Sequence, residues 1–144
     1  MTGKKHQQEL DEMPKTILFV DKDLSFVETL RQKYLAAGYK VFCACGHADA
    51  KEIYNATRPD AVVTEVMLER PDGGFSLAFE VKQKYPDVPV IMVTDVSWKT
   101  GLHFDLDTPE ARSWIRADAF LDKPIRTEEL DTLIHSLIKP AKAA

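Results

Sequence analysis

Ala61-Val62-Val63-Thr64-Glu65 is a short apolar run that ends in an acid. Its length and β-branched content suit a strand rather than a helix, and Pro59-Asp60 punctuates the chain just before it. Three other stretches share this plan: Phe19-Val20-Asp21-Lys22-Asp23, Val90-Ile91-Met92-Val93-Thr94, and Phe120-Leu121 followed by Lys123-Pro124. Segments with a helical apolar period lie between them. Such alternation argues for βαβ units around a parallel sheet. Strands are expected at about 16–21, 40–45, 60–65, 88–94 and 118–122.

The intervening helices carry recognisable ends. Ser25-Phe26-Val27-Glu28 reads as a capping box, with Asp23 as the competing cap, and Phe26, Leu30, Tyr34 and Leu35 form the inward stripe that Gly38 stops. Asp49 is the expected cap of a second helix, with Ile53 and Ala56 inward and Pro59 ending it. Asp72-Gly73-Gly74 reads as a turn before a third helix, whose apolar side is Phe75, Leu77, Ala78, Phe79 and Val81. Thr108-Pro109-Glu110 places a cap, a first-turn proline and an acid in the favoured order for a fourth helix. Thr127 with Glu128 and Glu129 does the same for a fifth, whose Leu130, Leu133, Ile134, Leu137 and Ile138 should face the sheet.

Composition excludes several classes. The chain has 144 residues and a net charge of −4, with no run of Lys or Arg to attract nucleic acid or an anionic membrane. The length suggests one domain, 15–144, behind a polar flexible arm, 1–14, and a DNA-binding output domain is not expected. No apolar stretch approaches the length that spans a bilayer and no secretory signal opens the chain, so a cytoplasmic location is expected. Cys43 and Cys45 are expected to share one face of a strand as small buried residues, since their spacing matches neither a redox motif nor a metal half-site. His6, His47, His103 and His135 show no ligand spacing. Neither glycine-rich phosphate cradle is present, nor the G-x-S-x-G elbow of hydrolases, so an enzyme is not expected.

In doubly wound sheets, ligands bind beyond the carboxyl ends of the strands. Asp21, Lys22, Glu65, Thr94 and Lys123 all fall at such ends. Taken together these stretches resemble the receiver domain of two-component response regulators, over about residues 15–139. Pro59-Asp60, Gly73 eight positions after Glu65, and Phe120 three before Lys123 add to the likeness. The resemblance implies an α/β, flavodoxin-like doubly wound sheet of five parallel strands in order 2-1-3-4-5, with helices on both faces. It further implies that Asp21 and Lys22 occupy the positions of the family's Mg²⁺-holding acidic pair, with a phosphoacceptor position at Glu65, phosphoryl contacts from Thr94 and Lys123, and a switch aromatic at Phe120. Departures fall on the chemistry itself. Glu65 stands where the family has aspartate, and Lys22 where it has a second acid. Glu69 and Arg116 replace a common proline and glycine, and the 95–107 connection is long for this fold.

Phosphoryl transfer depends on positioning and on neutralising the equatorial oxygens, usually with Mg²⁺ held by carboxylates. Asp21 and Glu65 against Lys22 and Lys123 leave no excess negative charge for a dication, so no cofactor is expected and Asp21 is the sole candidate ligand. Lys22 is a candidate to fill the cation's place. Glutamate's extra methylene moves the carboxylate by about 1.5 Å, and misplacement of about 1 Å costs roughly 10²-fold in a positioned reaction. The longer side chain can alternatively bring its charge toward Thr94 and Lys123 in partial imitation of a phosphoaspartate.

Each residue also has an ordinary structural reading: Asp21 ordering its loop, Lys22 solvated, Thr94 capping backbone groups, Glu65 an exposed strand-end acid, Phe120 a fixed core ring. The favoured expectation is a stand-alone receiver-like signalling protein that acts through protein-protein contact without phosphorylation. Its partner, a histidine kinase or a downstream effector, would meet the fourth helix, fifth strand, fifth helix and the 95–107 loop, whose Trp98, Leu102 and Phe104 must cover the core or a partner. Two alternatives remain: a receiver phosphorylated on Glu65 or another acid, and a flavodoxin-like module that binds a small molecule in the strand-end pocket.

Overall fold

Every side chain of β1 (Thr16–Val20) is buried, and β3 (Ala61–Glu65) buries all but its last. Continuous burial of this kind marks parallel strands covered by helices on each face. The computed structural model describes residues 14–68, 73–94 and 116–138. In it five parallel strands form one sheet in the order β2-β1-β3-β4-β5, with β2 at Lys40–Ala44, β4 at Val90–Thr94 and β5 at Ala119–Asp122. The expected strand order and all five expected strands are therefore present.

Alternation along each strand divides the core in two. Leu18, Val20, Val62, Val90 and Met92 join Ala50 and Tyr54 of α2 (His47–Ala56) and Phe75, Leu77, Ala78 and Val81 of α3 (Gly73–Lys84). Their neighbours Ile17, Phe19, Val63, Ile91 and Val93 pack instead on Val27, Leu30 and Tyr34 of α1 (Leu24–Ala36) and on Leu130 and Ile134 of the C-terminal helix (Thr127–Leu137). Register then aligns the strand ends. Val20 lies opposite Ala44 and Thr64, Glu65 opposite Val93, and Thr94 opposite Asp122.

Helix ends differ from expectation by a residue or two, because several nearby side chains compete for the same orphan amides. Asp23 caps α1, accepting from the Phe26 N–H at 3.2 Å, so the Ser25 capping box is not used. Val27 takes the inward place expected of Leu35, which is 43% exposed. Gly46 stands at the start of α2 without a side-chain bond, and Asp49 lies inside the first turn. Ala50 and Tyr54 face inward there, whereas Ala56 is exposed and Ile53 half-buried. Gly73 and Gly74 open α3 rather than forming a turn before it, and Phe79 is exposed. Thr127 is the first residue of the C-terminal helix and makes no cap bond.

Gly38 stops α1 as expected, with a left-handed backbone at φ 96°. The cysteine expectation fails. β2 is an edge strand that ends at Ala44, so Cys43 is half-buried while Cys45 is exposed, its Sγ 2.8 Å from Asp49 Oδ2. The arm before Pro14, the 95–107 connection and the helix expected from Thr108 lie outside the described residues. Among the described residues no helix is long and apolar enough to cross a membrane.

One polar contact ties the two helices on the α1 face. The buried Tyr34 donates its hydroxyl to Asp131 Oδ1 at 2.5 Å, and Lys33 Nζ stands 3.0 Å from Asp131 Oδ2. Burial alone would raise the Asp131 carboxyl, but the Tyr34 hydroxyl and the Lys33 ammonium outweigh it and hold the group below its ordinary range. Stability from this contact is therefore present at neutral pH and lost as the carboxylate is protonated in acid. Tyr34→Phe is expected to cost about 1 kcal/mol in urea unfolding at pH 7 and to reduce the loss of stability on acidification. An unchanged urea midpoint at both pH values would show that the contact contributes nothing.

Candidate functional site

Past the end of β1, Asp21 is still tied to the sheet, its N–H donating to the Ala44 carbonyl at 3.1 Å. Its carboxylate is 3% exposed, and Oδ1 accepts from the Asp23 N–H at 2.9 Å. The next strand in space presents Glu65, with its side chain 13% exposed. From the far side, the loop after β5 brings in Lys123, whose Nζ stands 2.9 Å from Asp21 Oδ2 and 3.8 Å from Glu65 Oε1. Asp21 Oδ2 is fully buried and accepts no hydrogen bond, so its contact with Lys123 is an ion pair that lacks hydrogen-bond direction. The peptide between Lys123 and Pro124 is cis.

Three of the residues expected at the site thus meet: Asp21, Glu65 and Lys123. Lys22 does not join them. Its side chain is exposed, it forms no ion pair with a described residue, and its influence on Glu65 is the smallest of those acting there. The expectation that its ammonium fills a cation's place is corrected on that ground. Neighbouring residues at a strand end point in opposite directions, so a buried Asp21 sends Lys22 outward. Thr94 ends β4 level with Asp122. Phe120 is half-buried on β5 and packs against the Met92 side of the core.

Burial and the adjacent Asp21 carboxylate push the Glu65 carboxyl from an ordinary 4.5 up to about 7, and Lys123 and Lys22 only partly oppose this. Two acids this close hold one proton between them more readily than two negative charges. For Lys123, burial works to lower the ammonium, but Asp21 and Glu65 outweigh it and hold the group above its ordinary value. At neutral pH the cluster therefore holds an Asp21–Lys123 ion pair beside a carboxyl that is partly protonated.

Mg²⁺ takes oxygen ligands in near-octahedral array and accepts no ammonium among them. Here the buried Asp21 oxygen that lacks a hydrogen bond already faces Lys123, and its carboxyl neighbour is partly protonated. Among the described residues, the Asp21 oxygen that a hard dication would use is the one that Lys123 faces at 2.9 Å. Nor do they contain any cluster of three or more His, Cys, Asp or Glu arranged for a metal.

Sequence reasoning assigned Phe26 to the core stripe and missed its second role. Its ring lies 4.8 Å from Lys123 Nζ, and an ammonium over an aromatic face is attracted by the ring's quadrupole. The signal was available, since a first-turn residue of the helix after β1 must sit near the strand ends. Phe26, Leu30, Pro124 and Ile125 line an open groove of about 610 Å³ alongside.

A doubly wound parallel sheet with acids and a lysine gathered at the carboxyl ends of its central strands defines a flavodoxin-like domain of the CheY type. The family model for the response regulator receiver domain matches residues 17–135, and the chain belongs to that family. It is similar to the response regulator MprA of Mycolicibacterium vanbaalenii, with 32% identity over 127 residues, 88% of this chain and 52% of that protein. A probable transcriptional regulator, ycf27 of Cyanophora paradoxa, is 32% identical over 129 residues, 87% of this chain and 48% of its own length. The chain thus spans about half the length of the curated relatives it matches. Among solved structures, a putative response regulator from Chloroflexus aurantiacus superposes with a TM-score of 0.71 at 28% identity, covering 87% of this chain and 98% of that one.

Proposed function

We propose that this receiver domain signals without phosphorylation at the strand-three position, through contact with a protein partner in the cytoplasm. The observation that carries this reading is the Asp21–Lys123 ion pair beside Glu65, 2.9 Å and 3.8 Å from the one ammonium. An acceptor carboxylate must be ionised to attack phosphorus, and it needs its partner cation free to meet the incoming oxygens. Glu65 is held partly protonated near neutral pH, and Lys123 is already committed to Asp21. The cluster is closed by its own charges, without a metal and without a catalytic step. A histidine kinase or downstream effector is the partner class that receivers meet, and neither nucleic acid nor membrane suits a chain of net charge −4 that lacks a basic run.

Incubation with acetyl phosphate and Mg²⁺, followed by intact-mass measurement, should leave the wild-type mass unchanged over a time in which an ordinary receiver is fully modified. Acquisition of one phosphoryl group, lost in Glu65→Gln, would sink the proposal.

A further inference from the structure

Glycine is among the poorest helix formers, yet Gly73 and Gly74 together open α3. Conformation does not require the second of them, because the left-handed backbone among the described glycines is that of Gly38. Space does. A Cβ on Gly74 would lie 2.2 Å from the Glu65 carbonyl oxygen, 2.7 Å from Val66 Cα and 3.0 Å from the Glu65 carbonyl carbon. All three are main-chain atoms, which no rotamer change can move aside. The contact is also bonded, since Gly74 N–H donates to the Val66 carbonyl at 2.8 Å. Gly73 differs: a Cβ there would meet Leu68 first, with Cβ at 2.9 Å and Cα and Cγ at 3.6 Å as its three nearest atoms.

We propose that Gly74 is a positioning residue for Glu65. By carrying no side chain, it lets the first turn of α3 rest on the main chain at the end of β3, and that seat fixes where the Glu65 carboxyl meets Asp21 and Lys123. The inference deepens the reading of the strand-end cluster and rests on it. Any side chain at position 74 must push the carbonyl of Glu65 away by about 1 Å to reach ordinary contact, a shift as large as those that decide positioned chemistry. Glu65 stands 3.8 Å from Lys123 Nζ, so such a shift makes or breaks the ionic contact.

Gly74→Ala and Gly73→Ala test this as a pair, because both crowd a helical glycine, the first nearest to the Glu65 main chain and the second nearest to Leu68. The ionisation constant of Glu65 is read from its carboxyl carbon by NMR titration in each folded variant. Gly74→Ala is expected to change that constant tenfold or more and to shift the Glu65 and Val66 amide resonances, with Gly73→Ala staying within twofold of wild type. A Gly74→Ala constant within twofold of wild type, or an equal change in both variants, overturns the proposal. If Gly74→Ala does not fold, the wild type still decides: a strong NOE between the α protons of Gly74 and Val66 supports the seat, and its absence overturns it. Failure of the underlying reading looks different. In that case wild-type Glu65 titrates as an ordinary surface carboxylate and does not respond to Lys123→Gln, whatever Gly74→Ala does to the amide shifts.

Discussion

The double variant Lys22→Asp with Glu65→Asp is expected to bind Mg²⁺ and to accept a phosphoryl group from acetyl phosphate, where the wild type does neither. Lys22→Asp replaces an ammonium near the cluster by a carboxylate, which supplies the excess negative charge that attracts a hard dication to the strand ends. Glu65→Asp withdraws the acceptor by one methylene, on the order of 1.5 Å, a distance worth roughly 10²-fold in a positioned reaction. It also separates the acceptor from Asp21, whose proximity and shared burial keep the Glu65 carboxyl partly protonated. Each single change corrects one fault and leaves the other, so each should fall about 10²-fold or more below the double variant. Rates from intact-mass time courses decide the matter. If Lys22→Asp alone is modified at Glu65 as fast as the double variant, reach is not limiting and the geometric argument fails.

Native stability should fall as pH rises from about 5 to 8, the reverse of a protein whose carboxylates are all paired. Glu65 is the cause, because it binds its proton more tightly in the folded chain, at about 7 against an ordinary 4.5. The folded state therefore holds more protons than the unfolded state across that window. Its contribution is complete below the lower value and gone above the upper one. Full burial would make the loss about 3 kcal/mol at ~1.4 kcal/mol for each pH unit of difference. Screening at this partly open site brings the expected loss to roughly 2 kcal/mol. Glu65→Gln carries no proton to lose and should flatten the profile. Urea midpoints at pH 5 and pH 8 for the two proteins test this, and a wild-type profile as flat as that of Glu65→Gln would show that Glu65 is an ordinary surface acid.

The elements of this fold were legible because the forces that define them are local. Apolar runs such as Thr16–Val20 and Ala61–Glu65 specify strands wherever helices cover both faces, and the stripe Leu130, Ile134, Leu137 repeats with the helical period. Strand ends follow from the same runs, so the positions of Asp21, Glu65, Thr94 and Lys123 at one end of the sheet were fixed before any contact was known. Local competition blurred the caps. Asp23 and Ser25 are both good N-caps two residues apart, and only the approach of the chain from Asp21 decides between them.

What the sequence left open is which charge meets which. Lys22 and Lys123 count equally in a sum of charges at the strand ends, and Lys22 has the advantage of standing beside Asp21. The tertiary structure reverses that order. Alternation at the end of β1 turns Lys22 to solvent once Asp21 is turned inward, and the β5 loop, some hundred residues later in the chain, delivers Lys123 to 2.9 Å. The seat of α3 on Glu65 was likewise hidden, since a glycine pair reads locally as a turn. Its meaning as a close approach exists only where another segment's backbone arrives. Local sequence fixes periodicity and chain direction, which place residues at an end of the sheet. Ion pairing and close approach depend on distances between segments far apart in the chain, and those distances exist only once the sheet and its helices have packed.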